Sequence, residues 1–205
     1  MECVEKSIQA RLRAASHPNH VRINNHPMLE SLTEKTFLLS TYRTILIGYF
    51  HLYREMEMQI KQFTEHHPVP FDYSARTKLA WLEADLNFLN GSSRVEFISS
   101  ACPIEFPAIQ SIGQLIGVLY TIEGSTLGGQ VISRHLKQNH GLTGQQGARF
   151  FNGYGTHTPA LWEDFCQFAE TIKSDAEQYR SAEAATLLTF MKFEETLNEY
   201  HHASH

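Results

Sequence analysis

Apolar residues recur at three- and four-residue spacing along most of this chain, the signature of amphipathic helices. The clearest run spans about Glu30 to Phe63. There Leu32, Phe37, Leu38, Tyr42, Ile45, Leu46, Tyr49, Phe50, Tyr53, Met56 and Ile60 share one helical face. The tract "HHPVP" ends it. "DYSARTKLAWLEADLNFLN" reads as the next helix, with Asn90-Gly91 as its stop. Pro103 and Pro107 precede another, about Ala108 to Gln138. Two more follow the glycine-rich "HGLTGQQG" and "FFNGYGTHT". One covers about Pro159 to Tyr179, with Leu161, Phe165, Phe168 and Ile172. The other covers Ser181 to His201, with Leu187, Leu188, Met191, Phe193 and Leu197. The first segment is helix-compatible, but Pro18 should start, kink or interrupt it, and Pro27 marks a second break. No segment alternates as a strand. The pattern predicts an all-α, single-domain chain over 1–205, packed as an irregular helical bundle.

One helix breaks its own rules. "YTIEGSTLGGQVISRHL" (Tyr120 to Leu136) contains Gly124, Gly128 and Gly129, and Gly113 and Gly117 lie just upstream. A mid-helix glycine costs roughly 1 kcal/mol relative to alanine. At roughly 100° per residue, Gly113, Gly117, Gly124 and Gly128 fall within about 60° of one another. Gly129 and Ser125 lie further round. A bare backbone stripe has two uses. It lets a second helix approach closely, or it lets a broad, flat ligand lie against the backbone. Glu123, Ser125, Thr126 and Gln130 are the polar groups beside it. It is no P-loop, because GxxxxGK[ST] is absent and the glycines lie within a helix.

Composition narrows the chemistry. The 205 residues can bury a full core without staples. A formal charge of -5, with no cluster of Lys and Arg, argues against nucleic acid. Cys3, Cys102 and Cys166 form no CxxC, which disfavours disulfides and thiolate zinc and suits a reducing compartment. No apolar run spans a membrane, and the first residues lack a signal-peptide core. The expected location is cytoplasmic.

Of twelve histidines, His66-His67 and His201-His202 suit helix C-termini. There is neither HExxH nor a paired ExxH, and a tail site of His201, His202 and His205 is a weak alternative. His17, His20 and His26 remain. His20 stands out because Arg13 precedes it by seven residues. On a continuous helix the two would share a face about 10 Å apart, one for a metal and one for an anion.

"LRAASHPNH" together with "YTIEGSTLGGQVI" resembles the bacterial haem oxygenases, in particular those associated with bacteriophytochromes. "FFNGYGTHTPALWEDF" and "ATLLTFMKFEETLNEY" extend the resemblance over most of the chain. It implies haem held between a proximal helix and a glycine-rich distal helix. On that pattern His20 is the iron ligand; such a ligand usually donates its other ring N–H to an oxygen acceptor, for which Asn24, one turn on, is a candidate. Arg13 is a propionate contact, with Arg149 and Lys173 as unassigned candidates for a second. Ile23, Tyr120, Thr189 and Phe193 line the pocket. Gly124 and Gly128 let the distal helix lie over the haem plane. Where mammalian-type members carry an aspartate after the first distal glycine, this chain has Ser125, which can hold water but carries no charge. The implied activity is O₂-dependent cleavage of haem, both cofactor and substrate, to biliverdin, CO and iron. Electrons would come from a ferredoxin or reductase, since no flavin or nicotinamide fingerprint is present, and a bilin-binding photoreceptor is the implied product acceptor. Three rivals stay open. One is a haem-storage protein without turnover. Another is a haem-free thiamine-degrading enzyme, which needs a pocket cysteine from Cys102 or Cys166. The last is an interaction protein that docks a helix on the glycines.

Overall fold

The computed structural model describes residues 6–34, 36–90 and 104–202. Cys3, Gly91, Cys102, Pro103 and His205 lie outside these. Among the described residues eight α-helices run in chain order: α1 Ile8–Asn24, α2 Pro27–Ser31, α3 Leu39–His66, α4 Leu79–Asn90, α5 Ile112–His140, α6 Arg149–Asn152, α7 Thr158–Ala169 and α8 Ala176–His202. No β-strand occurs among the described residues.

Helix α1 continues through Pro18. Proline removes one backbone N–H, but its exposed position leaves room for the ring. Ser7 caps the N-terminus by accepting from the Ala10 N–H. Arg13 and His20 therefore do share one helix.

The run from Glu30 to Phe63 is not one helix. It divides into α2 and α3, and the intervening chain is gripped by the end of α5. Asn139 donates to the Glu34 carbonyl, and the His140 imidazole reaches the Phe37 carbonyl at 3.1 Å with its ring 4.4 Å from that of Phe37. Phe37 is buried while Leu38, on the expected apolar face, is 70% exposed. At the other end of α3, the His66 and His67 imidazoles bond the Gln62 and Phe63 carbonyls, the capping role their position suggested.

Residues 72–78 also depart from the helix expected there. They form an extended stretch and a 3-10 turn at Ser74–Arg76, which carries Arg76 and Lys78 into the interior. Helix α7 ends at Ala169, and α8 starts earlier than periodicity suggested, at Ala176. The Asp175 carboxylate, accepting from the Glu177 and Gln178 N–H groups, stops one helix and begins the next. Met191, expected on the apolar face of α8, is exposed.

Helix α8 is the organising element. It packs along both α5 and α1, which scarcely touch each other. Its close approach to α5 depends on two glycines. A Cβ at Gly113 would lie 2.1 Å from the Gln178 carbonyl oxygen, and one at Gly117 would lie 2.2 Å from that of Ala182. Polar contacts seal the crossing: Gly113 N–H donates to the Gln178 side chain, and the Thr186 hydroxyl donates to the Gly117 carbonyl. With α8 bridging them, α1 and α5 stand apart at their other ends and leave a gap.

Candidate functional site

That gap is a cavity of about 800 Å³, within the range of sites for sizeable organic ligands. One wall is α1, with Arg13, Ser16, His17, His20, Ile23 and Asn24. The opposite wall is the turn of α5 from Tyr120 to Gly129. Tyr49 and Tyr53 of α3, Phe150 and Phe151 of α6, Trp162 of α7, and Phe190 and Phe193 of α8 complete a largely apolar lining. Helix α6 is held there by Asp85 of α4, whose carboxylate accepts from the Arg149 and Phe150 N–H groups.

The glycine stripe divides between its two uses. Its N-terminal half packs against α8, as described. Its C-terminal half faces the cavity. A Cβ at Gly128 would meet nothing within 4 Å, and one at Gly124 would meet only the Trp162 ring edge at 3.6 Å. Gly129, off the stripe, lies at the cavity's edge packed on α6, where a Cβ would lie 2.8 Å from the Phe151 carbonyl oxygen.

His20 projects from the facing helix. Its Nδ1 lies 3.2 Å from the Asn24 side-chain amide, which leaves Nε2 for a ligand. An amide can present its oxygen or its nitrogen to the ring, so Asn24 can fix the tautomer that carries hydrogen on Nδ1. Partial burial, then the neighbouring His17 and Arg13, lower the His20 pKa from its ordinary value. The imidazole is therefore neutral at pH 7, the form that binds metal. No group of three or more His, Cys, Asp or Glu side chains among the described residues could hold an ion alone. Of the two lining histidines, His17 and His20, it is His20 whose Nδ1 is held by Asn24, and one such imidazole beside a wide apolar gap suits a metal that brings further ligands of its own.

Tyr120 is buried on the cavity wall against Trp162, with ring centroids 5.8 Å apart. Burial raises its pKa, against the Ser16 hydroxyl and the Arg13 charge. Ser125 faces the cavity but spends its hydroxyl hydrogen on the Ile122 carbonyl at 2.7 Å. Its lone pairs remain to accept. Nearby, the Thr121 hydroxyl is buried with no hydrogen-bond partner among the described residues, and the Tyr53 hydroxyl is buried with only the Ser125 hydroxyl beside it; both residues line the cavity. A buried, unpaired hydroxyl costs on the order of 1–3 kcal/mol, so these groups mark a place for water or ligand.

Some expected positions fall elsewhere. Thr189 is fully buried, donates to the Ala185 carbonyl and is not in the lining; its neighbour Phe190 is. The Arg149 side chain stacks on Trp81 and bonds the Gly153 carbonyl, and Lys173 lies beside Glu170. Neither lines the cavity, so neither joins Arg13 there as a second propionate contact. Cys166 is half-buried, lies outside the lining, and its thiol is pushed up to about 11 by burial and by Glu163 and Glu170. That is the opposite of an activated nucleophile. Tyr53, Thr121, Phe150, Trp162 and Lys78 were missed, because nothing local in the sequence marks residues that meet only in space.

Comparison with known proteins agrees with this geometry. The family model described as heme oxygenase matches residues 6–199. A heme oxygenase of Takifugu rubripes is 26% identical over 187 residues, covering 86% of this chain and 68% of that protein. The structure of heme oxygenase from Leptospira interrogans superposes with a TM-score of 0.76 at 14% identity, covering 95% of this chain and all of that one. Heme oxygenase-1 from the cyanobacterium Synechocystis, solved in complex with heme, gives a TM-score of 0.71 at 17% identity, covering 95% and 92%. The match over nearly the whole chain, on a fold whose cavity sets the histidine-bearing face of α1 opposite bare glycine backbone, means that this protein belongs to the haem oxygenase family, oxidoreductases that degrade haem.

Proposed function

We propose that the chain acts as one haem oxygenase-like domain over 1–205, with His20 as the proximal iron ligand and the Gly124–Gly128 turn as the distal wall. The observation that carries this is the pairing of the His20 imidazole with open glycine backbone across one cavity. The residues fit the group. Nε2 of His20 is available as a ligand, and Asn24 holds Nδ1. Ile23, Tyr120 and Phe193 offer apolar contact, and at Gly124 and Gly128 a flat ring can lie against backbone. Arg13 at the cavity edge pairs with a propionate. Arg13→Ala should weaken haem affinity about tenfold, a loss that shrinks at high salt, as read by titration at two ionic strengths.

Bound haem supplies the iron chemistry that reduces O₂ and directs oxygen onto the porphyrin edge, ending in biliverdin, CO and iron. The protein orients and hydrates. Gly124 and Gly128 set how close the helix comes to the ring. Ser125 accepts a hydrogen bond from water through its lone pairs, with the Tyr53 and Thr121 hydroxyls as neighbouring anchors. Such water is the proton source on the distal side. No carboxylate takes part at Ser125. Electrons come from an external donor, for which a ferredoxin or a reductase is the proposal. The cysteine usage supports action in the cytoplasm, and the sequence resemblance supports a bilin-binding photoreceptor as product acceptor. No described helix is long and apolar enough to cross a membrane.

Adding hemin should produce a Soret band typical of histidine-bound haem. Ascorbate or reduced ferredoxin should then bleach it as biliverdin absorption grows. A Soret band that survives reductant under air would instead mean haem storage. No Soret band at all would favour a helix-docking role for the glycine face.

A further inference from the structure

Glu123 immediately precedes Gly124, yet its side chain turns away into the interior and is 1% exposed. Its carboxylate meets Lys78 Nζ at 2.7 Å, Arg76 at 3.2 Å, and the Tyr154 hydroxyl, which donates to both oxygens at 2.9 and 3.0 Å. Lys78 is equally buried and donates to three acceptors: Glu123, the Arg76 carbonyl and the Tyr154 oxygen. Three N–H groups for three acceptors is complete satisfaction for an ammonium. Arg76 continues the network to Asp164 on α7 and the Leu161 carbonyl. The distal turn of α5 is thus bonded to the segment before α4, the loop after α6, and α7.

A buried ion pair is a poor source of net stability. Well-packed apolar residues of the same volume often serve as well or better, and the best-attested gain is a unique register. What needs registering here is the turn that carries Thr121, Gly124 and Ser125. Its mid-helix glycines leave the backbone unusually free. Lys78 itself reaches the cavity lining.

We propose that Lys78 and Glu123 are positioning residues: their ion pair pins the 121–125 turn of α5, and so fixes the spacing between the glycine backbone and the hydroxyls that hold distal water. The proposal rests on the haem reading above. Its test compares the haem-loaded wild type with Lys78→Met, Glu123→Gln and the double variant. The readouts are the melting temperature of the haem-free protein, the C–O stretching band of the ferrous carbonyl complex, and turnover with ascorbate. Glu123→Gln strands the buried Lys78 ammonium, and Lys78→Met leaves the Glu123 carboxylate with Arg76 as its remaining cation, so each should lower the melting temperature, by roughly 10 °C for Glu123→Gln and by less for Lys78→Met. The double variant, near-isosteric and with the pair's two charges removed while Arg76 keeps Asp164, should regain most of that. Its C–O band should nonetheless shift and broaden, and its turnover should fall about tenfold or more, because the turn is no longer held. A double variant with the wild-type band and wild-type turnover would overturn the proposal, leaving the pair a structural feature only. Failure of the wild type to form a carbonyl complex would overturn the haem reading itself, which is a different result.

Discussion

His20→Ala is expected to abolish histidine-ligated haem and to lower haem turnover by two orders of magnitude or more, while leaving the fold intact. His20 lies on the open face of α1, and the Asn24 amide is its one hydrogen-bond partner. Removing the imidazole therefore deletes only its edge contact with the Phe190 ring, whose centroid lies 6.2 Å away. The measurement is a hemin titration: the variant should lose the sharp Soret band, and added imidazole should restore it by occupying the vacated space. Identical spectra for variant and wild type would refute the axial assignment. The pH dependence has a definite sign. Because partial burial, His17 and Arg13 depress the His20 pKa, the folded apoprotein takes up its proton only below the ordinary value of about 6.5. The unfolded chain binds that proton more readily, so this site's contribution to stability is present above that value and fades as the pH falls below it. Haem affinity should follow, flat between about pH 7 and 8 and declining on acidification, because proton and iron compete for one lone pair.

The second large effect is a contrast between two glycines on the same stripe. Gly128→Leu places a side chain in open space, where a Cβ would meet no atom within 4 Å. The haem-free protein should gain up to about 1 kcal/mol from the better helix former, but haem binding should be lost because the branched side chain occupies the cavity. Gly117→Ala should do the reverse. Its Cβ would lie 2.2 Å from the Ala182 carbonyl oxygen and 2.8 Å from the Ala185 Cβ, so α5 and α8 must separate, at a cost of roughly 3 kcal/mol or more. Haem affinity of the fraction that still folds should change little. Denaturant unfolding of the haem-free proteins, paired with hemin titration, separates the two effects. Stability lost at Gly128 and kept at Gly117 would invert the division of the stripe.

Helical character, the apolar face of α3, the capping histidines His66 and His67, and the glycine stripe of α5 were legible in the sequence, whereas the pairing of His20 with that stripe came only from the family resemblance. Each depends on spacing within one segment, and a helix maps spacing onto direction. The same local logic failed where a distant partner intervened. The run from Glu30 to Phe63 breaks because Asn139 and His140 claim the carbonyls of Glu34 and Phe37. Residues 72–78 are not helical because Arg76 and Lys78 are drawn to Glu123, 45 or more positions away. Thr189 points into the core, not the pocket, because the rotation of α8 is set by its contacts with α5 and α1.

The amino-acid pattern by itself determined that this protein is a bundle of amphipathic helices, that one helix carries a bare stripe, and that a lone histidine stands ready elsewhere. It could not say which way the stripe faced, since periodicity assigns a common face to residues but no neighbour to that face. The tertiary structure decided this by setting α8 against Gly113 and Gly117 and leaving Gly124 and Gly128 open toward His20. It also turned Glu123 inward onto Lys78, a contact between residues that carry no local mark of each other. Close packing needs two surfaces and a cavity needs several, and only the folded chain brings them to one place.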